Sequence, residues 1–426
     1  MKPDKNNTYC HYPFRELAMK EYENDKLIAV WPCCMMGNIR PDGKPLSVIE
    51  DPSNLTPQEI YDHPRMQQLR ENMINGKRDE LCKVCWDQED RGLLSFRHFS
   101  ESSEIEEDNT RLSSVDISAS NLCNLRCRMC TPRSSHSLMI DHDFFKKAGE
   151  SDKTYPFNFI LRDVAETTQF FSVWETNTPI PWRMTDSVQW KWLMENTDKI
   201  RTIKASGGEP FYDNKVIKLI DRYIETDNAK HTTLSFHTNG TLLSDELINK
   251  LNKFKSNLHN FSIDGYRSTY NYVRYPGNFD DLDKNLRNYW TKINPKGIFR
   301  VNMVLTSLNL LSVIDFVKWI DSIYTDNSIN FAEVYGFDRG TSINRLPIFI
   351  LQQVKNDIEK FYSTFKKGLL KDDHKTKNLI QQINNAIENN KEDKRLMLKE
   401  IGFFDVSRNQ KFTDYLDPIL INWLSS

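Results

Sequence analysis

Beyond residue 110 the chain alternates short apolar runs with longer amphipathic ones. SVDISAS, IRTIKASGG, TTLSFHTNG, NFSIDG, FRVNMVLTS and NFAEVYGF have the length and the β-branched and aromatic content of strands. Between them, DNKVIKLIDRYIET and LSDELINKLNKF carry apolar residues at helical spacing. This alternation predicts β/α units around a parallel sheet. Six such strands predict an α/β fold of the partial (β/α)6 type, a TIM-like barrel over residues 111–340. Barrels of that kind carry their chemistry on loops at the C-terminal ends of strands.

The flanks read differently. Residues 1–110 form a small, loop-rich unit, with a strand over KLIAVWPCC and a helix over TPQEIYDHPRMQQLRENMING. Thr56 caps that helix, Pro57 opens it and Gly76 closes it. The acidic run ESSEIEEDN, 101–109, reads as a solvated linker. The connection 131–199 is long and rich in aromatics, as in YPFNFILRDV and WKWL, and is expected to form an extra packed subdomain, with part of a substrate pocket or lid as the alternative. From 341 to 426 the pattern is helical, with Ile350, Leu351, Val354, Ile358, Phe361 and Phe365 on one face, and reads as a structural cap, with a partner-binding role as the alternative.

Composition narrows the partners. With 57 basic and 59 acidic residues among 426, the net charge is −2, so nothing in the balance points to nucleic acid or to an anionic membrane. The N-terminus lacks the apolar core of a signal peptide. No apolar run approaches the roughly 18 residues of a membrane span. A cytoplasmic protein is the expectation, and in a reducing compartment its eight cysteines point to metal or redox chemistry, not disulfides. They are Cys10, Cys33, Cys34, Cys82, Cys85, Cys123, Cys127 and Cys130, and none lies beyond residue 130.

The stretch SNLCNLRCRMCTPR places Cys123, Cys127 and Cys130 in a C-x3-C-x2-C spacing directly after the first barrel strand. A zinc site normally takes four ligands, often in paired C-x2-C arms. One loop with three thiolates suits three corners of a [4Fe–4S] cluster and leaves one iron for another ligand. This loop resembles the signature of the radical S-adenosylmethionine (SAM) enzymes. The resemblance implies that SAM chelates the fourth iron. Reductive cleavage there would give a 5′-deoxyadenosyl radical that abstracts hydrogen from a substrate. KASGGEP, ending the next barrel strand, resembles the family's GGEP stretch: Gly207, Gly208, Glu209 and Pro210 would bind SAM, with Glu209 on its amino group. HTNGTLL (237–243) and SIDGYRSTYNYVR (262–274) resemble stretches of peptide-modifying branches. On that reading Ser262 and Asp264 bond the SAM ribose or polar backbone and Arg274 pairs with its carboxylate. Asn302 and Asn309 are further, weaker candidates.

The five upstream cysteines exceed one site's needs. The order CHYPF, WPCC, CKVCWDQEDRGLLSFR resembles the twitch module, the half-length relative of the SPASM domain, which holds an auxiliary [4Fe–4S] cluster. The resemblance implies Cys10, Cys33, Cys82 and Cys85 as ligands, with Cys34 a packed neighbour. Unlike the commonest layout, this module precedes the barrel. Structural zinc is the alternative for these thiols. The resemblance further implies a peptide or protein substrate, with a small molecule or nucleotide as the alternative, and an electron donor such as flavodoxin or ferredoxin. Two other classes compete: an iron–sulfur electron carrier or redox sensor without radical chemistry, and a zinc-stabilised binding protein.

Overall fold

The computed structural model describes residues 8–22, 27–36, 48–90, 95–99, 111–132, 134–141, 143–144, 187–294, 297–324, 328–333, 339–364 and 373–426. The acidic run 101–109, residue Phe365 and most of the aromatic-rich connection, 145–186, lie outside them. The chain divides into two compact units. The first comprises Met1–Asn121, Ile180–Phe236 and Lys250–Asn257; the second comprises Leu122–Pro179, His237–Asn249 and Leu258–Ser426.

The six strands read from the pattern all form: β3 (Ser114–Ser118), β4 (Thr202–Ser206), β5 (Thr233–Thr238), β6 (Ser256–Ser262), β7 (Ile298–Leu305) and β8 (Ser328–Glu333). Upstream, β2 (Leu27–Trp31) is the strand expected in KLIAVW. The pattern did not reveal β1 (Glu16–Tyr22). Glu16, Lys20 and Glu21 give ELAMKEY a poor strand composition. Pairing decides it: β1 runs parallel to β3, Glu16 opposite Ser114, and antiparallel to β2, Ala18 opposite Trp31.

In the first unit the strands lie in the order β2-β1-β3-β4-β5, parallel from β1 onward. In the second, β6, β7 and β8 lie side by side and parallel. Helices such as Asn214–Glu225, Phe279–Lys292 and Val313–Ile323 bury Val216, Leu219, Ile220, Leu282, Leu286, Phe316 and Ile320, each at or below 2% exposure. This is an α/β fold with a mostly parallel sheet, consistent with a partial barrel.

The helix expected over 57–76 is two helices, Pro57–Tyr61 and Pro64–Ile74. The Thr56 hydroxyl accepts the Glu59 amide while Glu59 accepts the Thr56 amide, a capping box. The break has a local cause: Pro64 disfavours helical backbone at His63, which is extended at ψ 140°. The C-terminal extension forms the helices Ile348–Thr364, Asp373–Glu388, Lys394–Arg408 and Pro418–Ser425. Ile350, Leu351, Val354 and Ile358 are buried, as their spacing predicts. Among the described residues no helix is long and apolar enough to cross a membrane.

Candidate functional site

In the second unit, Cys123, Leu125 and Cys127 form one buried cluster, with Met129 and Cys130 packed against it. The loop has little regular structure, so its backbone groups need other partners. Arg126 and Arg128 donate their amides to the carbonyls of Tyr275 (2.6 Å) and Val273 (2.8 Å). The Cys123 amide donates to His136 Nδ1 at 3.2 Å, and Ser137 Oγ donates to the Cys123 carbonyl at 2.5 Å. The Leu125 amide points at Cys123 Sγ, 3.4 Å away, the kind of donor that stabilises a thiolate.

Asn124 ties this loop to the HTNG turn. Asn239 Nδ2 donates to Asn124 Oδ1 (2.9 Å), Asn124 Nδ2 to the Thr241 hydroxyl (2.8 Å), and that hydroxyl to Asn239 Oδ1 (2.6 Å). The sequence singled out the turn but not its partner in the cysteine loop.

Arg128 was also missed. It lies between Cys127 and Cys130, is 2% exposed, and sits 3.5 Å over the Tyr272 ring. Its guanidinium reaches Asp405 at 2.6 Å and Gln410 at 3.0 Å. Its carbonyl accepts from Arg339, which pairs with Glu400. Asp141 holds Arg408 at 2.9 Å and Arg126 at 3.2 Å. The helix Lys394–Arg408 therefore does more than cap: Glu400, Asp405 and Arg408 brace the loop that carries the thiols. A lone Arg in a cysteine motif and acids roughly 270 residues later give no sequence signal of pairing.

Asp264 and Arg274 are paired with each other, Nε at 2.6 Å and Nη2 at 2.5 Å from Oδ2, and both are buried. Asp264 Oδ1 also accepts the Val304 amide at 2.6 Å, and Asn309 Nδ2 donates to the Asp264 carbonyl at 3.0 Å. Ser262 ends β6 opposite Asn302 on β7. Burial would push the Arg274 pKa down, but Asp264 and the thiols of Cys127 and Cys130 outweigh it and hold the cation charged. Cys127 donates to Cys130, which raises the first thiol's pKa and lowers the second's; Arg274 lowers both.

In the first unit the GGEP turn closes on the residues leading into that loop. Gly207 has φ +128°, and a Cβ there would lie 2.5 Å from the Ser120 carbonyl, so only glycine fits. The Gly208 amide donates to the same carbonyl at 2.8 Å. Glu209 is 1% exposed, and its Oε1 accepts the Phe211 amide at 3.2 Å. Pro210 follows in the same turn.

Also in the first unit, Cys10, Cys33, Cys82 and Cys85 line one pocket, together with Tyr12, Met35, Phe96 and Arg97. The pocket holds ≈ 20 Å³ within ≈ 390 Å³ of empty space that includes its open mouth. Burial raises the Cys33 and Cys82 thiols, and neighbouring thiols raise them further; Arg97 alone opposes this at Cys82. Arg97 is fixed by Glu89 (2.6 Å) and by the Tyr9 carbonyl (2.9 Å). Cys34 is exposed and faces Asp116, Glu16 and Lys204 instead.

Among the described residues no three His, Cys, Asp or Glu side chains converge as ligands of a single metal ion. A cubane makes a different demand, one thiolate on each of several irons. The loop fits it: three gathered thiols, an amide on sulfur, a fixed cation beside two of them. The four-thiol pocket fits by donor set and apolar lining.

Residues 117–320 match the family model Radical SAM superfamily. No curated protein matches the chain. Among solved structures the chain is similar to Streptococcus suis SuiB bound to S-adenosylmethionine, at 14% identity and TM-score 0.35, covering 71% of this chain and 53% of SuiB. SuiB bound to its precursor peptide SuiA gives 13%, 0.36, 68% and 61% in the same order. Native anSMEcpe with bound AdoMet gives 18%, 0.37, 59% and 60%. The chain thus spans between about half and three fifths of the length of these structures.

Proposed function

We propose that this chain is a radical SAM enzyme, the superfamily whose model matches residues 117–320, and that Cys123, Cys127 and Cys130 hold its SAM-binding [4Fe–4S] cluster. In the same reading Cys10, Cys33, Cys82 and Cys85 hold an auxiliary [4Fe–4S] cluster of twitch type, and the substrate is a peptide. The observation that carries it is the gathering of three thiols on one braced loop, with the Leu125 amide on Cys123 and the Arg274 charge beside Cys127 and Cys130. When bound, cluster and SAM supply a 5′-deoxyadenosyl radical that takes hydrogen from a substrate C–H.

The chain's own residues have distinct tasks. Gly207 and Gly208 let the backbone after β4 close on the Ser120 carbonyl. Glu209 offers a buried carboxylate to the ammonium of SAM. Asp264 holds Arg274 charged, and that charge favours thiolates at Cys127 and Cys130. Ser262 is assigned to SAM's ribose or backbone polar groups. The peptide substrate is favoured because auxiliary modules of this kind accompany peptide modification.

Anaerobic reconstitution should give about eight irons per chain, from two [4Fe–4S] clusters. Dithionite with SAM should then release 5′-deoxyadenosine. Zinc at one or two equivalents with no iron would sink the proposal. The substrate assignment fails separately if 5′-deoxyadenosine formation couples to loss of hydrogen from a nucleotide and from no peptide offered.

A further inference from the structure

Buried parallel strands usually read as nearly continuous apolar runs. Those of the first unit do not. Leu17 and Met19 on β1, Val115 and Ile117 on β3, Ile203 and Ala205 on β4, and Leu234 and Phe236 on β5 are all at or below 2% exposure and share one face. The alternate positions share the other face and are polar almost throughout, Glu16, Ser114, Asp116, Lys204 and Ser235 among them. Charges on a face that only packed would be costly to desolvate.

Three of these charges form one group. Glu16 Oε2 holds Lys204 Nζ at 2.5 Å and accepts the Ser114 hydroxyl at 3.1 Å. Lys204 Nζ also lies 4.7 Å from the centre of the Tyr12 ring. Asp116 is directly opposite Lys204 in the β3–β4 register. Glu16 is 1% exposed, yet its second oxygen, Oε1, is buried with no hydrogen-bond partner. A buried carboxyl oxygen in that state is costly unless something donates to it.

We propose that Glu16, Asp116 and Lys204 form a substrate subsite for an amide edge, with Glu16 Oε1 accepting the amide N–H and Asp116 donating to its carbonyl. Asp116 suits the donor role: burial, then Glu16, lifts its pKa to about 7 against the pull of Lys204, so a proton is available near neutrality. Lys204 remains an ammonium: burial is the largest single influence and lowers its pKa, but Glu16, Tyr12 and Asp116 together outweigh it. A carboxylate ligand would meet Glu16, and an ammonium would meet Lys204. A group that donates and accepts at neighbouring atoms meets neither conflict. The inference rests on the peptide reading above and narrows it to where a peptide bond or side-chain carboxamide is held.

The test uses the full chain with its clusters reconstituted anaerobically and ligand-observed NMR with three probes: N-acetylglycinamide, ethylammonium chloride and sodium acetate. N-Acetylglycinamide should bind best. Glu16→Gln should weaken it about tenfold, because Lys204 keeps the amide oxygen and turns the NH₂ toward the probe. Asp116→Leu should weaken it similarly. Circular dichroism checks folding, and Asp116→Ala, which also removes the donor, replaces either variant that fails. Stronger binding of ethylammonium or acetate, equal N-acetylglycinamide binding in the folded variants, or no binding of any probe would each overturn the proposal. Release of 5′-deoxyadenosine by the wild-type protein is measured separately. Its absence rejects the SAM reading while leaving the probe comparison readable.

Discussion

The two cysteine groups solve the problem of holding thiols by opposite means. Cys123, Cys127 and Cys130 come from one loop, and the molecule spends buried polar contacts on holding that loop: Arg128 on Asp405, Arg339 on Glu400, Arg408 on Asp141. Cys10, Cys33 and the Cys82/Cys85 pair come from three separate segments, and their pocket is mainly apolar. In the loop a fixed cation, Arg274, lowers the cost of a thiolate; in the pocket burial raises it at Cys33 and Cys82. A three-thiol loop keeps a coordination position open and needs an external brace. A four-thiol pocket closes its own site and needs little besides burial.

The largest effect that would break this contrast is on chemistry. Cys127→Ala should abolish 5′-deoxyadenosine release, assayed by chromatography; cleavage at the wild-type rate would remove the loop from the site. Next, Cys85→Ala should lose about four of eight irons yet still cleave SAM, while Cys34→Ala keeps all of them. Equal iron in the two variants would mean the pocket is not a cluster site. Arg128→Ala leaves the buried Asp405 without its ion-pair partner, with the Tyr272 hydroxyl and the Phe412 amide still donating to it, and should cost about 3–5 kcal/mol in denaturant unfolding. A loss below about 1 kcal/mol would show that the brace matters little. Gly207→Ala places a Cβ against the Ser120 carbonyl at an expected strain of about 1–3 kcal/mol, read as weaker SAM binding. Smallest is a pH effect in the iron-free protein. Cys130 and Cys82 are both half-buried, but the first thiol is lowered and the second raised. Near pH 7 Cys130 carries the larger thiolate fraction, so iodoacetamide should label it first, with the gap closing as pH rises. Faster labelling of Cys82 would invert the comparison.

Much of this was legible early because it is local. Strands β3 to β8 follow from short apolar runs, and Gly207 from a turn that admits no side chain. The three-thiol loop was legible for the same reason: its cysteines are seven residues apart from first to last. Strand β1 was not, since its charged residues contradict strand propensity until β3 pairs with it. The choice of Cys33 over Cys34 began as a resemblance, and adjacent cysteines look alike on paper. In the fold they face different surroundings, Cys33 toward three other thiols and Cys34 toward Asp116 and Glu16.

By itself the sequence determined the α/β alternation, the thiol loop after β3 and the glycine turn after β4. Each depends on contacts within a few residues, where spacing and propensity act directly. The tertiary structure alone decided that Asp405 reaches Arg128, that Asp264 pairs with Arg274, and that Glu16 meets Lys204. Those pairs join residues ten to almost three hundred positions apart. A charge carries no mark of its partner until burial removes water as the alternative.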